Sequence, residues 1–93
     1  METQIISSNE CRIIMIWKDP MQLHVLLQFP VKMWRYEEEL QISPAFEAHD
    51  IVKLYIGLYK LRPQAIEDKS RFFYEMTKLF WRIKRRYLTF QSF

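Results

Sequence analysis

Apolar positions recur along this chain with two different periods, and the change of period divides it. In the first third they alternate or crowd together over short stretches bounded by polar residues. Thr3 to Ser7 carries Ile5 and Ile6, and Ser7-Ser8-Asn9-Glu10 follows as a turn. Cys11 to Trp17 (CRIIMIW) is short, isoleucine-rich and apolar almost throughout, which favours a buried strand. Together these stretches predict a hairpin. Lys18-Asp19-Pro20-Met21 then interrupts the pattern.

Gln22 to Phe29 (QLHVLLQF) places Leu23, Val25, Leu27 and Phe29 on one side at period two, with Gln22, His24 and Gln28 on the other. The same residues admit a helix, with Asp19 as cap, Pro20 as first helical residue and Leu23, Leu26 and Leu27 as its stripe. We prefer the strand, because a three-stranded meander gives Cys11–Trp17 a pairing neighbour on each side. Pro30 ends that element. Val31 to Leu40 (VKMWRYEEEL) alternates only weakly, which allows an edge strand, while Glu37-Glu38-Glu39 would crowd the negative end of a helix. It reads as extended chain running into an acidic loop.

From Ser43 the period becomes helical. Ser43-Pro44 has the form of a helix start, and the helix it predicts runs to about Leu61. Ala48, Ile51, Val52, Leu54, Tyr55, Leu58 and Tyr59 fall on its apolar side, and His49, Asp50, Lys53 and Lys60 on the other, with Gly57 among them. Arg62-Pro63 separates it from a second, longer helix predicted over Arg62–Phe93. There Phe73, Met76, Phe80, Ile83, Tyr87 and Phe90 are spaced alternately by three and four, and Phe72 and Leu79 widen the stripe. Glu67 and Asp68 come early and Lys84, Arg85 and Arg86 late, as the helix dipole favours. Glu67–Arg71 and Arg71–Glu75 have the spacing of stabilising pairs.

The pattern therefore predicts an α+β fold in one domain, 1–93: an N-terminal β-hairpin or three-stranded meander, followed by two long C-terminal amphipathic helices packed on it. The alternative is a small all-α bundle. Ninety-three residues bury only about 60–65% of their unfolded surface, which makes a partner useful for stability.

Charge changes the picture more than composition does. The chain carries a formal +3. Residues 1–61 hold six basic and eight acidic groups, whereas residues 62–93 hold eight basic and three acidic. The last helix is thus the basic part of the molecule. Arg71, Lys78, Arg82 and Arg85 gather on one arc of it, with Arg86 beside them. Between that arc and the apolar stripe lies a third strip, Tyr74, Trp81 and Leu88, spaced by seven.

Candidate chemistry is sparse. Cys11 is the only cysteine, so no intrachain disulfide forms, as suits a reducing compartment. His24 and His49 have no nucleophile at a recognisable spacing, and one Cys with two distant His is a poor zinc set. The single glycine, Gly57, cannot build a phosphate-cradling loop. The first residues show no secretory signal. The longest fully apolar run, Ile13–Trp17, is far short of the about 20 residues a membrane span needs.

These observations predict a soluble cytoplasmic protein that is not an enzyme, with no cofactor, metal or small-molecule substrate. The expected function is that of a small interaction or regulatory module. It would use Arg71, Tyr74, Lys78, Trp81, Arg82, Arg85 and Arg86 to contact a protein partner or a second copy of itself. The alternative is a nucleic-acid-binding regulator that reads phosphates with the same basic stripe.

Overall fold

The structure, a computed structural model, describes residues 2–19, 21–30 and 33–91. Four strands come first: β1 (Glu2–Ser7), β2 (Arg12–Asp19), β3 (Gln22–Phe29) and β4 (Trp34–Gln41). They form one antiparallel meander in the order β1-β2-β3-β4. Two helices follow, α1 (Ala48–Leu61) and α2 (Lys69–Gln91), with a turn of 3-10 helix at Pro63–Ala65 between them. The fold is α+β.

Period-two alternation explains the sheet. Ile13, Met15 and Trp17 of β2 and Leu23, Val25, Leu27 and Phe29 of β3 all point to one face and are buried. Gln22–Phe29 is a strand because it pairs on both sides, Arg12–Gln28 through Trp17–Leu23 with β2 and Gln22–Gln41 through Phe29–Trp34 with β4.

The sheet has one strand more than expected. Residues 34–41, predicted to run into an acidic loop, are β4. Trp34, Tyr36 and Leu40 turn inward and are partly buried, and Glu37 and Glu39 turn outward. Glu38 lies on the inner side at the sheet's edge, where the Tyr36 hydroxyl donates to it at 2.7 Å. Charged residues are ordinary on an edge strand, where they discourage pairing with another chain. Val31 and Lys32, which the same reading included, lie outside the described residues, as does the alternative helix start at Pro20.

Both helices begin later than their prolines suggest. Ser43-Pro44 forms a turn, closed by the Phe46 N–H donating to the Ser43 carbonyl at 3.0 Å. The cap of α1 is Glu47, whose N–H donates to the Asp50 carboxylate at 2.8 Å. Phe46 and Ile51, both buried, occupy the two positions of a hydrophobic staple across that cap. Pro63 starts the 3-10 turn, and buried Ile66, with extended backbone, breaks the chain before α2. The cap of α2 is Asp68, whose carboxylate accepts the Arg71 N–H at 3.0 Å.

α2 covers the sheet from β3 to β1. Phe72 meets Phe29 at 5.6 Å near its start. Farther along, Arg82 donates to the Ile5 carbonyl at 3.1 Å, and Arg86 pairs with Glu2 at 2.6 Å and lies 5.9 Å from the Trp17 ring centre. α1 runs antiparallel beside it: Phe46 stacks on Phe80 at 6.0 Å at one end, and Tyr55 meets Phe72 and Phe73 at 5.6 and 5.3 Å toward the other. Two expectations fail at this seam. Phe73 is not on the buried stripe; it leans on Tyr55 and stays 42% exposed, while Phe72 is fully buried. The side chain of Phe90 lies outside the described residues. Nor does Arg71 pair with Glu67 or Glu75: Glu67 precedes the helix, and Glu75 turns inward, 5% exposed, with Lys78 at 3.5 Å.

The β1–β2 turn is tied to the helix layer by a buried acid. The Glu10 carboxylate accepts the N–H of Glu67 at 3.0 Å and of Asp68 at 2.9 Å. A carboxylate on free N–H groups at a helix start satisfies those donors and meets the positive end of the dipole. Glu10→Ala is expected to cost about 2–3 kcal/mol, read as a lower urea midpoint, with Glu10→Gln losing less because its amide still accepts one bond.

Beside Glu10, the Cys11 thiol is pushed up to about 12, first by burial and then by the charges of Glu75 and Glu10. Native Cys11 should therefore resist alkylation at pH 8 and react only on unfolding. The folded chain holds the thiol proton more tightly than the unfolded one, so this contribution to stability is complete below pH 9.0 and falls away toward pH 12.

Candidate interaction surface on the second helix

The inner side of α2 is set by Phe72, Met76, Leu79 and Ile83, none of them measurably exposed, with Phe80 and Tyr87 extending it on one flank. At 100° per residue, the arc opposite these positions holds two rows. One is Tyr74, Trp81 and Leu88, which are 59%, 60% and 61% exposed. The other is Arg71, Lys78 and Arg85, also exposed. Both rows advance by seven residues, roughly 10 Å of helix per step, and drift slowly around it.

The rows lock together locally. Lys78 Nζ lies 4.7 Å from the Tyr74 ring centre, a cation–π contact that holds both side chains along the helix. Trp81 stands edge-on to Phe80 at 5.3 Å. Its ring is therefore anchored by one buried neighbour while much of its surface meets solvent. Arg71 and Arg85 have no ion-pair partner among the described residues.

Of the seven positions singled out in the sequence, five lie on this outward arc: Arg71, Tyr74, Lys78, Trp81 and Arg85. Arg82 and Arg86 do not. They turn toward β1, half-buried, and serve the fold through Ile5, Glu2 and Trp17. Even so they wall an open cleft of about 480 Å³ between β1 and α2, lined also by Gln4, Ile5, Arg85 and Thr89. A second hollow of about 410 Å³ is lined by Trp81, Lys84, Arg85, Leu88 and Thr89. Arg85 and Thr89 form the ridge between the two. Gln4 and Ile5 could not be placed here by helical periodicity, because the Ile5–Arg82 contact joins residues 77 positions apart.

The surface offers apolar contact and positive charge, with no reactive group among its residues. His24 lies across the sheet, with Nδ1 2.7 Å from Glu39 and Nε2 3.4 Å from Glu37. Lys18 reaches the same Glu39 at 2.8 Å, and hydrogen bonds with Lys18 first and His24 second hold its carboxyl below the usual range. His49 pairs with Asp50 at 3.4 Å on the exposed side of α1. No group of three or more metal-ligating side chains occurs among the described residues, and no helix among them is long and apolar enough to cross a membrane.

No family model matches the chain, and neither a curated protein nor a solved structure matches it. The side chains themselves must carry the functional reading.

The three tryptophans differ enough to check the geometry. Trp17 is buried, Trp34 half-buried and Trp81 exposed. Iodide should quench mainly Trp81, helped by the cations around it. Trp81→Phe should remove most of the iodide-accessible fluorescence while leaving the circular dichroism spectrum unchanged.

Proposed function

We propose that the chain is a small non-enzymatic interaction module whose contact surface is the outward arc of α2, and that its partner is a protein. One observation carries the reading: Tyr74, Trp81 and Leu88 form a row of large apolar side chains, each about three-fifths exposed, on a helix whose opposite side already fills the core. Large apolar groups in a row are costly to leave in water and favour a complementary surface. Arg71, Lys78 and Arg85 beside them select a partner with acidic groups at the rim, speeding encounter more than they deepen affinity. Trp81 and Arg85 are the residue types in which binding energy concentrates. A cytoplasmic setting suits such a module, because its one cysteine is buried and serves no disulfide.

A second reading has its own support. Arg71 and Arg85, which have no ion-pair partner among the described residues, and Lys78 lie along one row and could follow a phosphate backbone, with Tyr74 and Trp81 beside them to stack on bases.

Substitution separates the two. With the wild-type chain as bait, a protein partner should be retained in quantitative affinity capture, lost with Tyr74→Ala/Trp81→Ala, and weakened but kept with Arg71→Glu/Arg85→Glu. Labelled single- and double-stranded nucleic acids should show no tight, salt-sensitive binding in anisotropy titrations. Tight binding that falls by orders of magnitude with salt and is abolished by Arg71→Glu/Arg85→Glu would replace the protein reading with the nucleic-acid one. If neither pair of substitutions changes any binding, both readings fail.

A further inference from the structure

The helices cover one face of the sheet. On the other, the strand registers place side chains in rows. Ile5 of β1 pairs with Ile14 of β2, Ile14 with Leu26 of β3, and Leu26 with Glu37 of β4. This row crosses near the middle of the strands. Ile5 is 52% exposed, and Ile14 and Leu26 are half-buried. Two residues to one side lies the row Thr3, Ile16, His24 and Glu39, and two residues to the other lies Ser7, Arg12, Gln28 and Arg35. An antiparallel sheet covered on one face usually turns polar residues to the other. Here the centre of that face is aliphatic and its charges stand at the rim.

We propose that this face packs against the same face of a second copy, around a two-fold axis lying along the Ile5–Ile14–Leu26 row. Such a rotation sets each central residue against its own counterpart. It sets every residue two places before the row against the residue two places after it. Ile5, Ile14 and Leu26 meet their equivalents. Arg35 meets the second copy's Glu39, and Glu39 meets the second copy's Arg35, so one ion pair forms twice. Gln28 faces the second copy's His24, Ser7 its Thr3, and the aliphatic stem of Arg12 lies over its Ile16. Glu37 alone meets a like charge, and its own chain already supplies Arg35 at 3.2 Å and His24 at 3.4 Å.

The symmetry of the charges argues for a second copy rather than a different protein. On β4 the opposite charges Arg35 and Glu39 stand at equal distances on either side of the row, the placement that a two-fold axis along it turns into two ion pairs. An unrelated partner would need no such placement. Two sheets packed face to face lie about 10 Å apart and about 30° askew, within reach of an Arg35 side chain at the edge. Both α2 helices remain on the outside. The proposal therefore stands whether or not the helix surface binds a partner.

Sedimentation of the full chain over a range of concentrations tests it. Dimers that dissociate on dilution are expected. Ile14→Lys, which sets two like charges on the axis, should weaken them by about tenfold or more. Its urea midpoint at low concentration should be unchanged, and Trp81→Ala should leave self-association as it was. Single cysteines fix the orientation. With a short bis-maleimide, Leu26→Cys should cross-link to itself, Gln28→Cys alone should not, and a mixture of Gln28→Cys with His24→Cys should. A wild-type chain that stays monomeric to millimolar concentration overturns the proposal. So does a dimer indifferent to Ile14→Lys, or one in which Gln28→Cys cross-links with itself as readily as Leu26→Cys.

Discussion

The Glu10 carboxylate, buried against the start of α2, is the constraint on which the arrangement of this protein depends. It sits in the turn that joins β1 to β2 and accepts two backbone N–H groups from residues 57 and 58 positions away. Sheet and helix layers are otherwise joined mostly by apolar contact, which is strong but tolerant of sliding. Two charge-assisted bonds from one side chain fix where α2 begins and hence which of its sides faces the sheet. From the fixed start the helix lays Phe72, Met76, Leu79 and Ile83 into the core in succession. Past its middle it reaches β1, where Arg82 and Arg86 fasten the edge strand.

Fixing the inner side also fixes the outer one. Once Phe72 and Ile83 are buried, Tyr74, Trp81 and Leu88 have no place in the core. α1 occupies the flank next to Phe73 and Phe80 and leaves the outward arc uncovered. The basic residues divide in the same way. Arg82 and Arg86 belong to the fold, while Arg71, Lys78 and Arg85 face solvent. The positive charge of the last third of the chain thus has a structural share and a share available to a partner.

Much of this was legible in the sequence, and the failures have physical causes. β2 and β3 were readable because their inner positions are apolar without interruption. β4 was not, because only its inner side needs apolar residues, and even there Glu38 is tolerated at the edge by a bond from Tyr36. The starts of both helices were misplaced because a proline after a polar residue looks like a helix start. In each case a buried residue farther along, Phe46 or Ile66, holds the chain in another conformation first. The outward row of Tyr74, Trp81 and Leu88 was readable from helical geometry alone. The different employment of Arg82 and Arg86 was not, since it depends on β1 lying beside them. Glu10 gave no signal, because its partners are backbone groups distant in sequence.

The central claim is that α2 serves the fold with one side and leaves the other free for contact. Chemical unfolding of two variants tests it most directly. Tyr74→Ala and Trp81→Ala combined should change stability by no more than about 1 kcal/mol, since substitutions at exposed positions each contribute little. Phe72→Ala alone should cost about 3–5 kcal/mol, as expected for emptying a fully buried aromatic site. A double variant as destabilised as Phe72→Ala would contradict the account, because Tyr74 and Trp81 would then belong to the fold.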